Sequence, residues 1–137
     1  MKKLSYLLDT NICIYIIKKQ PNSVIKKFNC FSPGEIGISS ITVAKLYYGV
    51  AKSREKEKNM LALNNFILDL EQVFFDEKAA TIYGELRVAL EKKGNIIGPL
   101  DMLIAAHAKS LGLVLITNNT KEFSRISGLS INNWALD

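Results

Sequence analysis

Leu4-Ser5-Tyr6-Leu7-Leu8-Asp9-Thr10-Asn11 decides how the chain is read. A mostly apolar run this short, cut off by three polar side chains, predicts a buried strand over 4–8 that ends at Asp9. Strands that read as near-continuous apolar runs belong to parallel sheets covered on both faces. The next segment reads as a helix from about Ile12 to Lys18, with Thr10 or Asn11 as its cap. A strand that runs into a helix is the repeating unit of an α/β domain.

The alternation continues to the end of the chain. Pro21-Asn22-Ser23 breaks the first helix and starts a second, Val24 to about Cys30; Ser32-Pro33-Gly34 is a turn. A second strand is expected over 35–39, and Ser39 or Ser40 caps the helix after it. Val43, Leu46, Tyr47 and Val50 fall at i, i+3, i+4 and i+7, which predicts that Tyr47 packs inward with them. The mixed-charge run Lys52–Lys58 reads as the solvated start of an amphipathic helix that continues over 60–70. A third strand is expected over 72–75. Asp76 then caps a long helix with Ala79, Tyr83, Leu86 and Leu90 on one face, stopped by Gly94. Pro99 suits the first turn of a helix over 100–111, closed by Gly112. Residues 113–117 read as a fourth strand and 118–127 as a loop with a helical turn. Residues 129–134 read as a fifth strand at the sheet edge, anchored by Trp134.

The chain has 137 residues, 48% of them hydrophobic, which suits one domain over 1–137. Its formal charge of +5 favours a polyanionic partner. No apolar run reaches 18 residues, so no membrane span is expected. Met1-Lys2-Lys3 before an apolar stretch resembles a signal peptide, but Asp9-Thr10-Asn11 cuts the stretch short and no small-residue cleavage site follows. The expected compartment is the cytoplasm. Cys13 and Cys30 have no metal-ligand spacing with each other or with His107, and both read as free core thiols.

In open α/β sheets, ligands bind beyond the carboxyl ends of the strands. Three polar features fall there: Asp9 after the first strand, Asp101 in the first turn of its helix, and Thr117-Asn118-Asn119-Thr120-Lys121-Glu122-Phe123 after the fourth strand. Helix capping, the helix dipole and turn chemistry each account for one of them in isolation. A haloacid-dehalogenase-type phosphatase would want a second aspartate where Asn11 stands. A phosphorelay receiver would want an acidic pair at the end of the first strand.

Together the segments Leu7-Leu8-Asp9-Thr10-Asn11, Ile38-Ser39-Ser40-Ile41-Thr42-Val43-Ala44-Lys45-Leu46-Tyr47-Tyr48-Gly49, Asp101 with Ile104-Ala105-Ala106-His107-Ala108, and Thr117 to Phe123 resemble, in order and spacing, the PIN-domain ribonucleases of the VapC toxin type. The resemblance implies a three-layer α/β/α domain with a five-stranded, mostly parallel sheet. It implies cleavage of RNA phosphodiester bonds by carboxylates that hold Mg²⁺ or Mn²⁺. It also implies a VapB-type antitoxin whose tail fills the active-site groove, and a homodimer. Asp9 and Asp101 match the first and third acidic positions and are the expected metal ligands; Asn119 or Glu122 matches the position after the fourth strand. The second acidic position, normally glutamate in an Ala-Glu-Leu context, reads Ala44-Lys45-Leu46.

That departure is chemically large. Mg²⁺ takes oxygen ligands in a tight octahedron, and lysine offers no acceptor. Glutamate at position 45 would lower the net charge from +5 to +3. The expectation is that Lys45 pairs with Asp9 or Asp101 and impairs catalysis. His107, among alanines, is expected to pack or hydrogen-bond rather than act as a base. Tyr48 is a candidate for stacking on bases.

Overall fold

The structure, a computed structural model, describes residues 3–136. Its elements in chain order are β1 (Tyr6–Leu8), α1 (Thr10–Lys18), α2 (Asn22–Asn29), a 3₁₀ turn (Pro33–Glu35), β2 (Ile36–Ser39), α3 (Ser40–Ala51), α4 (Lys56–Leu68), β3 (Glu71–Val73), α5 (Glu77–Lys92), α6 (Pro99–Leu111), β4 (Val114–Ile116), α7 (Thr120–Phe123) and β5 (Ile131–Asn132). The strands form one five-stranded sheet in the order β3-β2-β1-β4-β5. Every pairing is parallel.

Side chains alternate between the faces of a strand, and here that period builds two cores. Leu7 and Leu115 enter a core made with α5, α6 and α7. Their neighbours Leu8 and Ile116 enter the other, made with α1 to α4. The central strands are therefore buried on both faces, and the architecture is three-layered, α/β/α.

Gly94 and Gly112 both adopt φ +67° just beyond the ends of α5 and α6, the left-handed stop a glycine adopts without strain. Pro99 is the first residue of α6.

Three local expectations are corrected. The cap of α1 is Asp9, whose carboxylate accepts from the Thr10 amide, rather than Thr10 or Asn11. On α3 the buried positions are Thr42, Leu46 and Val50, a strict i, i+4, i+8 stripe. Tyr47 lies one residue round from it and is exposed, its hydroxyl donating to Asn64 Oδ1 at 3.3 Å. Of the two thiols only Cys13 is in the core, where burial pushes it well above its ordinary value. Cys30 caps the end of α2, exposed, with Sγ donating to the Lys26 carbonyl.

Candidate active site

Asp9 leaves the end of β1 at the sheet's centre and is 4% exposed. A buried carboxylate must find donors, and it finds two. Oδ1 accepts from the Thr10 amide at 2.8 Å and Oδ2 from the Thr117 hydroxyl at 2.8 Å. Thr117 follows β4, the strand beside β1, so parallel pairing brings the two strand ends together. Burial raises the Asp9 carboxyl above its ordinary value. The Thr117 and Thr10 hydrogen bonds oppose this, the Asp101 charge adds to it, and the Lys45 charge offsets part of it.

The network continues past β4. The Asn119 amide donates to Thr117 Oγ1 at 3.0 Å, and the Asn119 side chain donates to Glu122 Oε2 at 2.9 Å. Asn119 and Glu122, alternatives in the sequence, are thus hydrogen-bonded to each other and linked through Thr117 to Asp9. Asn118 turns the other way and donates to the Tyr15 hydroxyl at 2.8 Å, tying this loop to α1.

Asp101 comes from the first turn of α6, and Lys45 from the middle of α3. Lys45 Nζ lies 3.5 Å from Asp101 Oδ1, with both side chains about a quarter exposed. Of the two partners expected for Lys45, the structure selects Asp101. Asp9 feels both charges.

Beside Lys45 an apolar groove of about 260 Å³ runs between α1, α3 and α4, lined by Ile14, Ile17, Leu46, Val50 and Leu63 with Lys18 at its rim.

A family profile for the PIN domain matches residues 6–129. The chain belongs to the PIN-domain family. Its relatives are VapC proteins at nearly full length. The tRNA(fMet)-specific endonuclease VapC of Shigella flexneri is 42% identical, over 96% of this chain and 99% of that protein. Ribonuclease VapC2 of Rickettsia felis is 48% identical, over 94% and 97%. Among solved structures, VapBC2 from Rickettsia felis bound to a DNA fragment from their promoter superposes with a TM-score of 0.89 at 46% identity, over 96% of this chain and 99% of the matched one. DNA-bound VapBC from Salmonella typhimurium gives 0.91 at 44%, over 96% and 98%.

PIN nucleases are expected to hold a divalent ion with carboxylates, and the side chains of this PIN domain do not fit one. Among the described residues no three His, Cys, Asp or Glu side chains converge as a ligand set. Asp101 faces an ammonium, which supplies a fixed positive charge where a cation would sit and no oxygen to bind one.

Thr117 is the site residue that the sequence reading did not single out. Its signal was its place directly after the strand paired with β1. His107 is fully buried, and its Nδ1 lies 2.7 Å from the Ser39 hydroxyl, which also caps α3 by accepting from the Ile41 amide. Phe75 meets the imidazole edge-on. The histidine therefore ties α6, which carries Asp101, to the start of α3, which carries Lys45.

Burial lowers the His107 imidazole below its ordinary value near 6.5, against the pull of Asp76 and the Phe74 carbonyl. The unfolded chain then takes up this proton more readily than the folded one. The histidine's contribution to stability is intact above pH 6.5 and is lost as pH falls towards the lower folded value. His107→Leu should cost about 1–3 kcal/mol at pH 7 through the stranded Ser39 hydroxyl. It should also flatten the decline in melting temperature between pH 7 and 5. Parallel pH profiles for the two chains would exclude this role.

Proposed function

We propose that this PIN domain is a VapC-type toxin ribonuclease whose cleavage of RNA is impaired by Lys45. The observation that carries the reading is the 3.5 Å contact of Lys45 with Asp101, in a chain 42–48% identical to VapC ribonucleases over nearly its whole length. In this reading Asp9 and Asp101 are the metal-binding carboxylates. Asn119 and Glu122 supply the polar position after β4, joined to Asp9 through Thr117, and Mg²⁺ or Mn²⁺ is the cofactor once position 45 is acidic. The substrate is RNA, the compartment the cytoplasm, and the assembly a homodimer held by a VapB-type antitoxin.

The apolar groove beside Lys45 favours a second property, antitoxin binding without catalysis. Its walls include Ile14, Ile17 and Val50, apolar side chains of the kind that receive the apolar face of an amphipathic segment. Nothing in those walls depends on a metal, so partner binding should survive the loss of cleavage.

The test is RNA cleavage in Mg²⁺ or Mn²⁺ by the chain as it stands and by Lys45→Glu, each with and without a co-expressed antitoxin. Cleavage by the glutamate variant alone, with both chains retaining the antitoxin, is the expected result. Equal cleavage by both would remove position 45 from the account. Cleavage by neither, with antitoxin still bound, would leave a binding module.

A further inference from the structure

A second concave site is lined by none of the candidate active-site residues. It is a cleft of about 240 Å³ between α5, α6 and the segment after α7. Its buried apolar lining is Leu86, Leu90 and Ile126, and it also carries three cations, Lys93, Lys109 and Arg125, against one carboxylate, Glu85. None of the three cations lies within ion-pair distance of a described carboxylate.

Two of them are held in place by the main chain. Lys109 Nζ donates to the Ser127 carbonyl at 2.9 Å, and Arg125 Nη1 donates to the Ile96 carbonyl at 3.2 Å. Each such bond uses one donor of an ammonium that has three or a guanidinium that has five. The remaining donors are free, and the neutral carbonyls cancel no charge.

We infer that this cleft is an auxiliary phosphate site that grips the backbone of an RNA strand away from the point of cleavage. The inference rests on the ribonuclease reading. An arginine and two lysines beside an apolar lining match phosphate oxygens, and the low-polarity lining strengthens the field they make. Its volume of about 240 Å³ accommodates a phosphodiester group. Lys109 sits eight residues after Asp101 on the same helix, roughly 12 Å along its axis at 1.5 Å per residue. An RNA strand that touches both sites must span at least that distance. Phosphate contacts fix register without reading sequence, so the cleft strengthens binding of every sequence alike.

The experiment measures binding of a fluorescein-labelled single-stranded RNA 12-mer in EDTA, across a salt series. Three proteins are compared: the chain as it stands, Lys93→Ala/Lys109→Ala/Arg125→Ala, and an equal-charge control, Lys26→Ala/Lys27→Ala/Lys78→Ala, all exposed surface lysines. Loss of three phosphate contacts lowers the slope of log affinity against log salt by about 2, at ~0.7 per contact on a single strand. Affinity at low salt should fall roughly tenfold or more in the cleft variant, and the control should stay near the parent. Equal losses in the two variants would overturn the cleft while leaving the ribonuclease reading standing. No RNA binding by the parent would overturn both. A glutamate oligomer that binds the parent more tightly than the RNA and is released by the cleft variant would assign the cleft to an acidic protein and end the phosphate inference.

Discussion

Titrated with Mn²⁺, the Lys45→Glu variant should bind the ion at least a hundredfold more tightly than the chain as it stands. The substitution removes an ammonium 3.5 Å from Asp101 and places a third carboxylate beside Asp9 and Asp101. At an effective dielectric near 20, two unit charges about 4 Å apart interact by ~4 kcal/mol, close to a thousandfold in affinity before solvent screening. The side chains are about a quarter exposed, and screening brings this to the order of a hundredfold. Stability should change sign with the ion. Without metal the variant exchanges an attractive pair for clustered negative charge and should melt below the parent. With Mn²⁺ at a hundred times its Kd the variant gains ~2.7 kcal/mol, a rise of about 8 °C for a chain of this size. Calorimetric titration and thermal melts read the two effects separately. Equal binding by both chains would mean that Asp9 and Asp101 suffice, and that the ammonium is no barrier. Binding by neither would remove the carboxylate site.

Trp134→Ala carries the largest expected loss of stability, about 3–5 kcal/mol. Trp134 lies two residues past the last strand, where chain ends usually fray, yet it is 2% exposed. Its ring stacks on Phe31 at 5.7 Å and meets Tyr6 edge-on at 5.7 Å. It closes the core on the α1–α4 side of the sheet, under β1. Truncation opens a cavity between segments a hundred residues apart in sequence. Against a typical total of 5–15 kcal/mol, the melting temperature followed by circular dichroism should fall by about 10 °C or more. Leu136→Ala, at an exposed neighbour, is the control and should change it little. A drop of only a degree or two in Trp134→Ala would show that the aromatic cluster is peripheral.

Much of the fold was legible because its signals are local. The apolar run before Asp9, the glycines at 94 and 112 and the proline at 99 each act within one turn of the chain, and each element appears where these place it. Boundaries moved by a residue or two, as the strands proved shorter than their apolar runs. The two-sided burial of β1 and β4 was readable in Leu7-Leu8 and Leu115-Ile116, one residue of each pair for each core.

What was not legible depends on contacts distant in sequence or on helix rotation. Tyr47 and Leu46 are adjacent, and a stripe through Val43 fits the apolar pattern as well as one through Thr42. Only packing against α4 decides between them. Thr117 looked like turn chemistry until β4 was placed next to β1, which turned its hydroxyl onto Asp9 108 residues away. Asn119 and Glu122 could not be ranked because the two are hydrogen-bonded to each other. The partner of Lys45 likewise required the crossing of α3 with α6.

The candidate-site positions are not equally dispensable to the fold. Asp9 caps α1 and anchors Thr117, so replacing it disturbs a helix start and a strand end together. Asp101 stands in the first turn of α6, where negative charge suits the helix dipole. Position 45 lies mid-helix, partly exposed, and caps nothing. On the proposed reading, one codon change at 45 silences cleavage, spares the caps that hold the fold and the apolar groove beside them, and is undone by simple reversion.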